Sequence, residues 1–573
     1  MNIRRMGCVL MLSTVLATAQ ALEPEVAPAD LAFKDIRYLS RSLEDFGEQE
    51  AYVFAFTQLA APCHDALTKA LTKLQKDVDG QAVSIALVNA GSDDSILEIA
   101  HDGILRDLSY TLLKDTAGGS ASLGVRTAGT VVLLDKDRKL RYRGNSGGLH
   151  DALIAVLAGK TVETPETEVI GEGLAPAPLP PASKPITYSE HIAPIMDRHC
   201  VTCHRPNQGT PFSLRRYKQV AARADMIAEV VLEERMPPWY GVRSHGPFAN
   251  ERKVSDAEKI TLRQWLAAGT PEGDPALRPE PPVFPDTEWA IGEPDLVITA
   301  AEEEQIPADG YIPYRYVTLP YQFSADTWVQ GLEILPGNTD VVHHANLIYT
   351  QVGDGYSEDY NFLTGRVPGG DPVDLPDNVG MLIPKDSVLT LQIHYVTTGK
   401  PARDRIRVGI RYARSTIVKR THHQRMRPES ISIPPGDPFF PIRAEETIDY
   451  NATVLALFTH MHLRGRDMTF FADYPDGTSE TLLTVPNYSF DWQLAYVYEP
   501  GTKRFPKGTK IRTQSHYDNS AFNPYNPDPT VEVNYGDQTY HEMNDGYIFF
   551  LDEEESLNIQ VDPKTGHVLA AAK

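Results

Sequence analysis

Cysteine is scarce in this chain, with four residues in 573. Cys8 falls in an apolar N-terminal stretch, which leaves Cys63, Cys200 and Cys203 for the rest of the protein. Two of those three are bound together by spacing, so no disulfide framework can carry the fold, and stability must come from hydrophobic cores. Long apolar runs are also lacking. The one near the start, Met6 to Ala19, is shorter than the roughly 20 residues that a membrane-spanning helix needs. Basic clusters are missing as well: 54 basic against 77 acidic side chains give a formal charge of −23, with no basic stripe, which argues against nucleic acid as a partner.

The opening residues carry Arg4 and Arg5, then the apolar run, then Ala19-Gln20-Ala21, the pattern of a cleavable secretory leader over residues 1–21. The expected address is the bacterial periplasm or the exterior, with no membrane span. Two proline-rich stretches, 166–185 and 273–287, read as extended spacers. They mark off an N-terminal α/β unit over 30–165, a helical unit over 186–272, and a β-rich region that divides into sandwiches over 288–423 and 424–565.

Within the helical unit stands Cys200-Val201-Thr202-Cys203-His204. Two thiols three positions apart match the two vinyl groups of one haem, and the adjoining imidazole falls under its iron, so the run reads as a covalent haem c attachment site. A zinc or dithiol reading competes, but zinc needs a second ligand pair and the nearest other cysteine, Cys63, lies far upstream. A small all-α cytochrome c domain follows as the expectation. Met236, in Arg235-Met236-Pro237-Pro238-Trp239, is the expected second axial ligand, with His245 and His199 behind it.

The N-terminal unit alternates strand-like runs such as Ala51 to Phe56 and Thr130 to Asp135 with helical stretches such as Ala66 to Val78. With Phe56 to Cys63 at a strand-to-helix turn, and Leu123-Gly124-Val125 and Leu140 to Gly144 in its later half, it resembles the thioredoxin-like redoxins. It departs from them in two places. Cys63 has no partner two residues away, and Thr127-Ala128-Gly129-Thr130 stands where the family places a cis-proline. A lone thiol at a helix start can act as an activated nucleophile, or it can be a structural residue.

In the β-rich region, histidines fall on apolar runs. His343 and His344 follow Asp340-Val341-Val342, His394 ends Val388 to Ile393, and His460 and His462 flank Met461, a spacing that puts both rings on one face of a strand. Adjacent histidines on a regular strand point to opposite faces, so His343 and His344 need a bulge or a strand end to share one ion. A second adjacent pair, His422 and His423, has charged neighbours and reads as solvated, and His516 reads as structural.

The ordered segments Pro336 to His344, Leu391 to Tyr395, Thr459 to His462 and Gly536 to Met543 resemble the copper type II, ascorbate-dependent monooxygenases, the group of peptidylglycine α-hydroxylating monooxygenase and dopamine β-monooxygenase. The resemblance implies two jelly-roll-like sandwiches and two copper ions, one on His343, His344 and His394, the other on His460, His462 and Met543, where O2 is activated. Three imidazoles suit a copper that cycles for electron transfer, and a thioether favours Cu(I). The expected function is hydroxylation of a C–H bond in a small molecule or peptide with O2, electrons coming from the haem and, before it, from an external donor. Two other readings stand beside it: a non-catalytic electron carrier or copper-binding protein, and a thiol peroxidase acting through Cys63.

Overall fold

A computed structural model describes residues 25–174, 178–206, 210–284, 287–351, 353–355 and 361–569. The expected leader, residues 1–21, lies outside the described residues. Among the described residues no helix is long and apolar enough to cross a membrane. The chain forms two compact units, one made of residues up to 35, 39–92 and 110–176, the other of 36–38, 93–109 and the remainder.

The first unit is built on a seven-stranded mixed sheet. An interior strand, Ala51–Thr57, is buried along its whole length, as expected of an apolar run covered on both faces. Val83–Asn89, the middle strand of the seven, lies parallel to it on one side and Val131–Asp135 antiparallel on the other. Helix His64–Asp77 follows Ala51–Thr57 and buries Leu67, Leu71 and Leu74, positions spaced at helical period. The expected linker from 166 is folded chain rather than spacer. The Ala128 N–H donates to the Glu172 carbonyl at 2.8 Å, Leu174 N–H to Arg126 at 2.9 Å, and the Leu174 side chain is buried.

In the second unit, short helices between Tyr188 and Ala267 share a core that includes Ile192, Met196, Val220, Val231, Leu262 and Trp265. Around Val220 the chain forms two short helices, Tyr217–Ala221 and Ala224–Leu232. Arg223 breaks the path with φ −129° and ψ 17°, its guanidinium lying over the Phe212 ring. The start of the second expected spacer also packs down, through a bidentate contact of Arg278 with Asp197 at 3.1 Å.

Two β-sandwiches follow. The first faces a four-stranded sheet, containing Val342–Gln351 and Ser387–Tyr395, against a sheet centred on Thr327–Leu335 and Arg407–Tyr412, with Leu332, Leu347, Leu391 and Val408 fully buried between them. The second faces a sheet containing Ala452–Met461 and Asn544–Asp552 against one containing Gly465–Asp473 and Thr509–Tyr517. Chain passes from one sandwich to the other near Thr421: Lys419–Arg420 pairs within the first and His422–Met426 within the second.

Two segments depart from the expected division. The end of the chain returns to the first sandwich, where Val561 packs with Trp328 and Ile417 and the Trp328 N–H donates to the Gly566 carbonyl at 2.8 Å. The segment after Met236 leaves the helical core altogether. Trp239, Tyr240 and Phe248 are buried in the core of the second sandwich, with Trp239 edge-on to Tyr496 at a centroid distance of 5.1 Å. Backbone bonds from Val242 N–H to Thr484 and from Ala249 N–H to Val497, at 2.8 and 2.7 Å, fix it there.

Candidate metal centres

Strands Val342–Gln351 and Ser387–Tyr395 pair antiparallel with His344 directly opposite His394. The register shifts between Val342 and His344, which places a bulge at His343. That extra residue breaks the two-residue alternation, so adjacent imidazoles turn to one place. The ligand atoms of His343, His344 and His394 lie within 4.8 Å of one another. Three imidazoles gathered this closely could hold one metal ion.

Hydrogen bonding selects which nitrogens are free. His343 Nε2 lies 2.9 Å from the Asp491 carboxylate, an acceptor, so Nε2 carries the proton and Nδ1 the lone pair. Nδ1 of His343 and Nδ1 of His394 are buried with no hydrogen-bond partner among the described residues. His344 Nε2 faces the Tyr314 hydroxyl at 3.4 Å. Burial and the neighbouring imidazoles hold His344 neutral far below its ordinary range and bring His394 down to about 3. Neutral, unpartnered, buried imidazole nitrogens are costly alone and are what a metal ion satisfies.

The second group is smaller. His460 and His462 lie at a centroid distance of 5.2 Å at the end of Ala452–Met461. His460 Nδ1 donates to Gln493 Oε1 at 2.6 Å, and His462 Nδ1 to the His541 carbonyl at 3.3 Å. The lone pairs are thereby on both Nε2 atoms, and His462 Nε2 is buried without a partner. Burial and His460 hold His462 well below its ordinary range. His460 pairs with Asp545 and Met461 with Asn544, where the ladder ends, and Met543 is the residue just before that strand, its carbonyl accepting from the Tyr517 hydroxyl at 2.7 Å. Glu542 secures this end of the strand, accepting from the backbone N–H groups of His462 and Arg464 at 2.9 and 2.7 Å, and burial pushes its carboxyl up to about 8.

Other expected residues have other surroundings. His204 Nδ1 donates to the Phe212 carbonyl at 3.2 Å, which leaves Nε2 as the lone-pair nitrogen. Cys200 is half-buried and Cys203 exposed, both unbridged. Met236 lines a cavity with Val231, Glu234, Pro237, Arg252 and Lys259, and no residue of the Cys200 to His204 run lines that cavity. His199 is taken up by Glu258 at 3.1 Å, whereas His245 Nε2 is buried and unpartnered. His422 and His423, expected as solvated, are half-buried on a strand, with the His422 ring clustered with Tyr450 and Phe550 at centroid distances of 5.6 and 5.5 Å. His516 is structural: buried, bonded to Asp467 at 2.7 Å and stacked on Phe439. Cys63 stands at the start of helix His64–Asp77, as expected, but burial raises its thiol, against an activated nucleophile.

The residues that sequence reasoning missed are Tyr314, Tyr488, Phe490, Asp491 and Gln493. Nothing in their spacing marks them, because their partners lie in distant parts of the chain.

No protein-family model matches this sequence, and no curated protein matches it. Solved structures match the N-terminal quarter. A hypothetical protein from Sinorhizobium meliloti is 23% identical, with 26% of this chain and 91% of that one covered and a TM-score of 0.25. A thioredoxin-like protein from Aeropyrum pernix is 15% identical, covering 23% and 89%, with a TM-score of 0.20. A thiol-disulfide oxidoreductase from Bacteroides fragilis is 19% identical, covering 21% and 88%, with a TM-score of 0.18.

Proposed function

We propose that this chain is an exported, haem- and copper-dependent monooxygenase that hydroxylates a C–H bond of a small molecule or peptide with O2. The observation that carries the reading is the set of buried imidazole nitrogens, His343 Nδ1, His394 Nδ1 and His462 Nε2, that have no hydrogen-bond partner among the described residues. His343, His344 and His394 would hold one copper ion and His460, His462 and Met543 the other; Cys200 and Cys203 would anchor one haem c with His204 as axial ligand and Met236 as its expected opposite. When bound, these groups supply single electrons and the activation of O2.

The protein's own part is to orient and to exclude water. Asp491, Gln493 and the His541 carbonyl hold three ring protons away from the clusters, keeping the opposite nitrogens available. Phe490 lies against both groups, with ring centroids 4.8 Å from His343 and 6.2 Å from His462, and removes water from the space beside them. The Phe212 carbonyl does for His204 what Asp491 does for His343.

Metal analysis with a pyridine haemochrome assay tests the inventory. Two coppers and one haem per chain are expected, falling to one copper in His394→Ala. A protein that retains no copper from a stoichiometric Cu(I) load refutes the reading. Met543→Ala separates an oxygenase from a mere carrier: it should abolish O2-dependent hydroxylation while His343, His344 and His394 keep their copper.

A further inference from the structure

The segment Tyr488–Gln493 touches every part of this region. Tyr488 is buried and clasps the backbone of Met461, the residue between His460 and His462: its hydroxyl accepts from Met461 N–H at 3.1 Å and donates to Met461 carbonyl at 2.6 Å. Five residues on, the buried Gln493 accepts from His460 Nδ1 at 2.6 Å, while its amide donates to the Phe490 carbonyl at 3.0 Å and so closes the segment on itself. The segment is thus anchored at both ends to the second histidine group, within its own sandwich.

Its middle reaches the other sandwich. Phe490 stacks on His343 at 4.8 Å with an interplanar angle of 18°, and stands 6.1 and 5.9 Å from His344 and His394. Asp491 accepts the His343 Nε2 proton at 2.9 Å. Trp492 packs on Gly369, where even a Cβ would come within 2.7 Å of its ring. The Asp491 carboxylate is 65% exposed, so an ion pair there would be weak, and its use is geometric: it selects the tautomer of His343.

We propose that Tyr488–Gln493 is a clip through which the two histidine clusters assemble as one unit, so that disturbing the segment at one cluster weakens metal uptake at the other. Asp491 and Gln493 are its positioning residues and Phe490 its wedge. A ring whose tautomer and plane are set from outside loses little freedom when it takes a metal, and here both settings come from six consecutive residues. This rests on the copper reading above, and its test separates the two.

The test is Cu(I) affinity of the full-length protein, measured by competition with a chromogenic chelator. His462→Ala isolates the first cluster and His394→Ala the second. In the His462→Ala background, Asp491→Ala should weaken the first cluster by about ten- to a hundred-fold, and Asp491→Asn, whose amide oxygen still accepts the proton, should restore most of it. The decisive measurement is the crossed one. Gln493→Leu, which removes the bonds to His460 and to the Phe490 carbonyl and none to the first cluster, should weaken the first by at least about fivefold. A crossed effect of less than that, in protein whose thermal midpoint is unchanged, overturns the clip. Failure of the singly substituted backgrounds to bind Cu(I) at all would instead overturn the metal assignment.

Discussion

At the scale of single residues, the chemistry of the region is decided by which ring nitrogen bears a proton. Each histidine whose free nitrogen is identified owes it to an acceptor on its far side: Asp491 for His343, Gln493 for His460, the His541 carbonyl for His462. Burial also holds His344, His394 and His462 uncharged well below the ordinary range, and this has a consequence for stability. His344, His394 and His462 bind protons far less readily folded than unfolded. Between the ordinary value of 6.5 and the depressed folded values, the unfolded chain therefore holds more protons, and stability falls as pH falls. Glu542, raised to about 8 from 4.5, has the opposite slope, but that slope ends near 4.5. The metal-free protein should accordingly lose urea resistance steeply below pH 4.5, and His394→Ala should flatten that limb. A second prediction concerns Cys63. With its thiol raised by burial, it should alkylate more slowly at pH 8 than a free cysteine, and Cys63→Ser should leave copper and haem content unchanged.

At the scale of elements, local pattern went a long way. The strands at Ala51 and Val131, the helices from His64 and Asp256, and the β-rich character of everything after 288 follow from hydrophobic periodicity, and they lie where periodicity puts them. The bulge at His343 was required by a conflict within the sequence, two neighbouring histidines on a period-two strand, and the register shift resolves it. Other elements were illegible. The break at Arg223 depends on an aromatic ring from another segment, and Trp239 reads locally as part of the helical unit although its contacts are with Tyr496 and Phe248. Trp239 is 1% exposed, so Trp239→Ala should cost about 3–5 kcal/mol, seen as a lower denaturant midpoint for the second sandwich with the first cluster's copper retained.

At the scale of the whole molecule, boundaries drawn from proline content miss the segments that cross between the expected pieces. Residues 239–250 complete the second sandwich, and 559–569 return from it to the first. A chain ending at 558 loses Val561 from the Trp328 and Ile417 cluster and the backbone bonds beside it. It should unfold at lower urea, by an amount on the order of 1.5–3 kcal/mol for the buried side chain, and become sensitive to protease within 327–420.

By itself the sequence determined what is written in short range: the Cys200 to His204 spacing, the strand and helix periods, and the histidines standing on apolar runs. Only the tertiary structure decided which of those histidines meet, which of their nitrogens is left free, and that one segment near residue 490 serves both groups. The reason is physical. Periodicity records the direction in which a side chain leaves its own strand, whereas the partner it reaches is set by the packing of sheets whose strands are more than a hundred residues apart, as with His343 and Asp491.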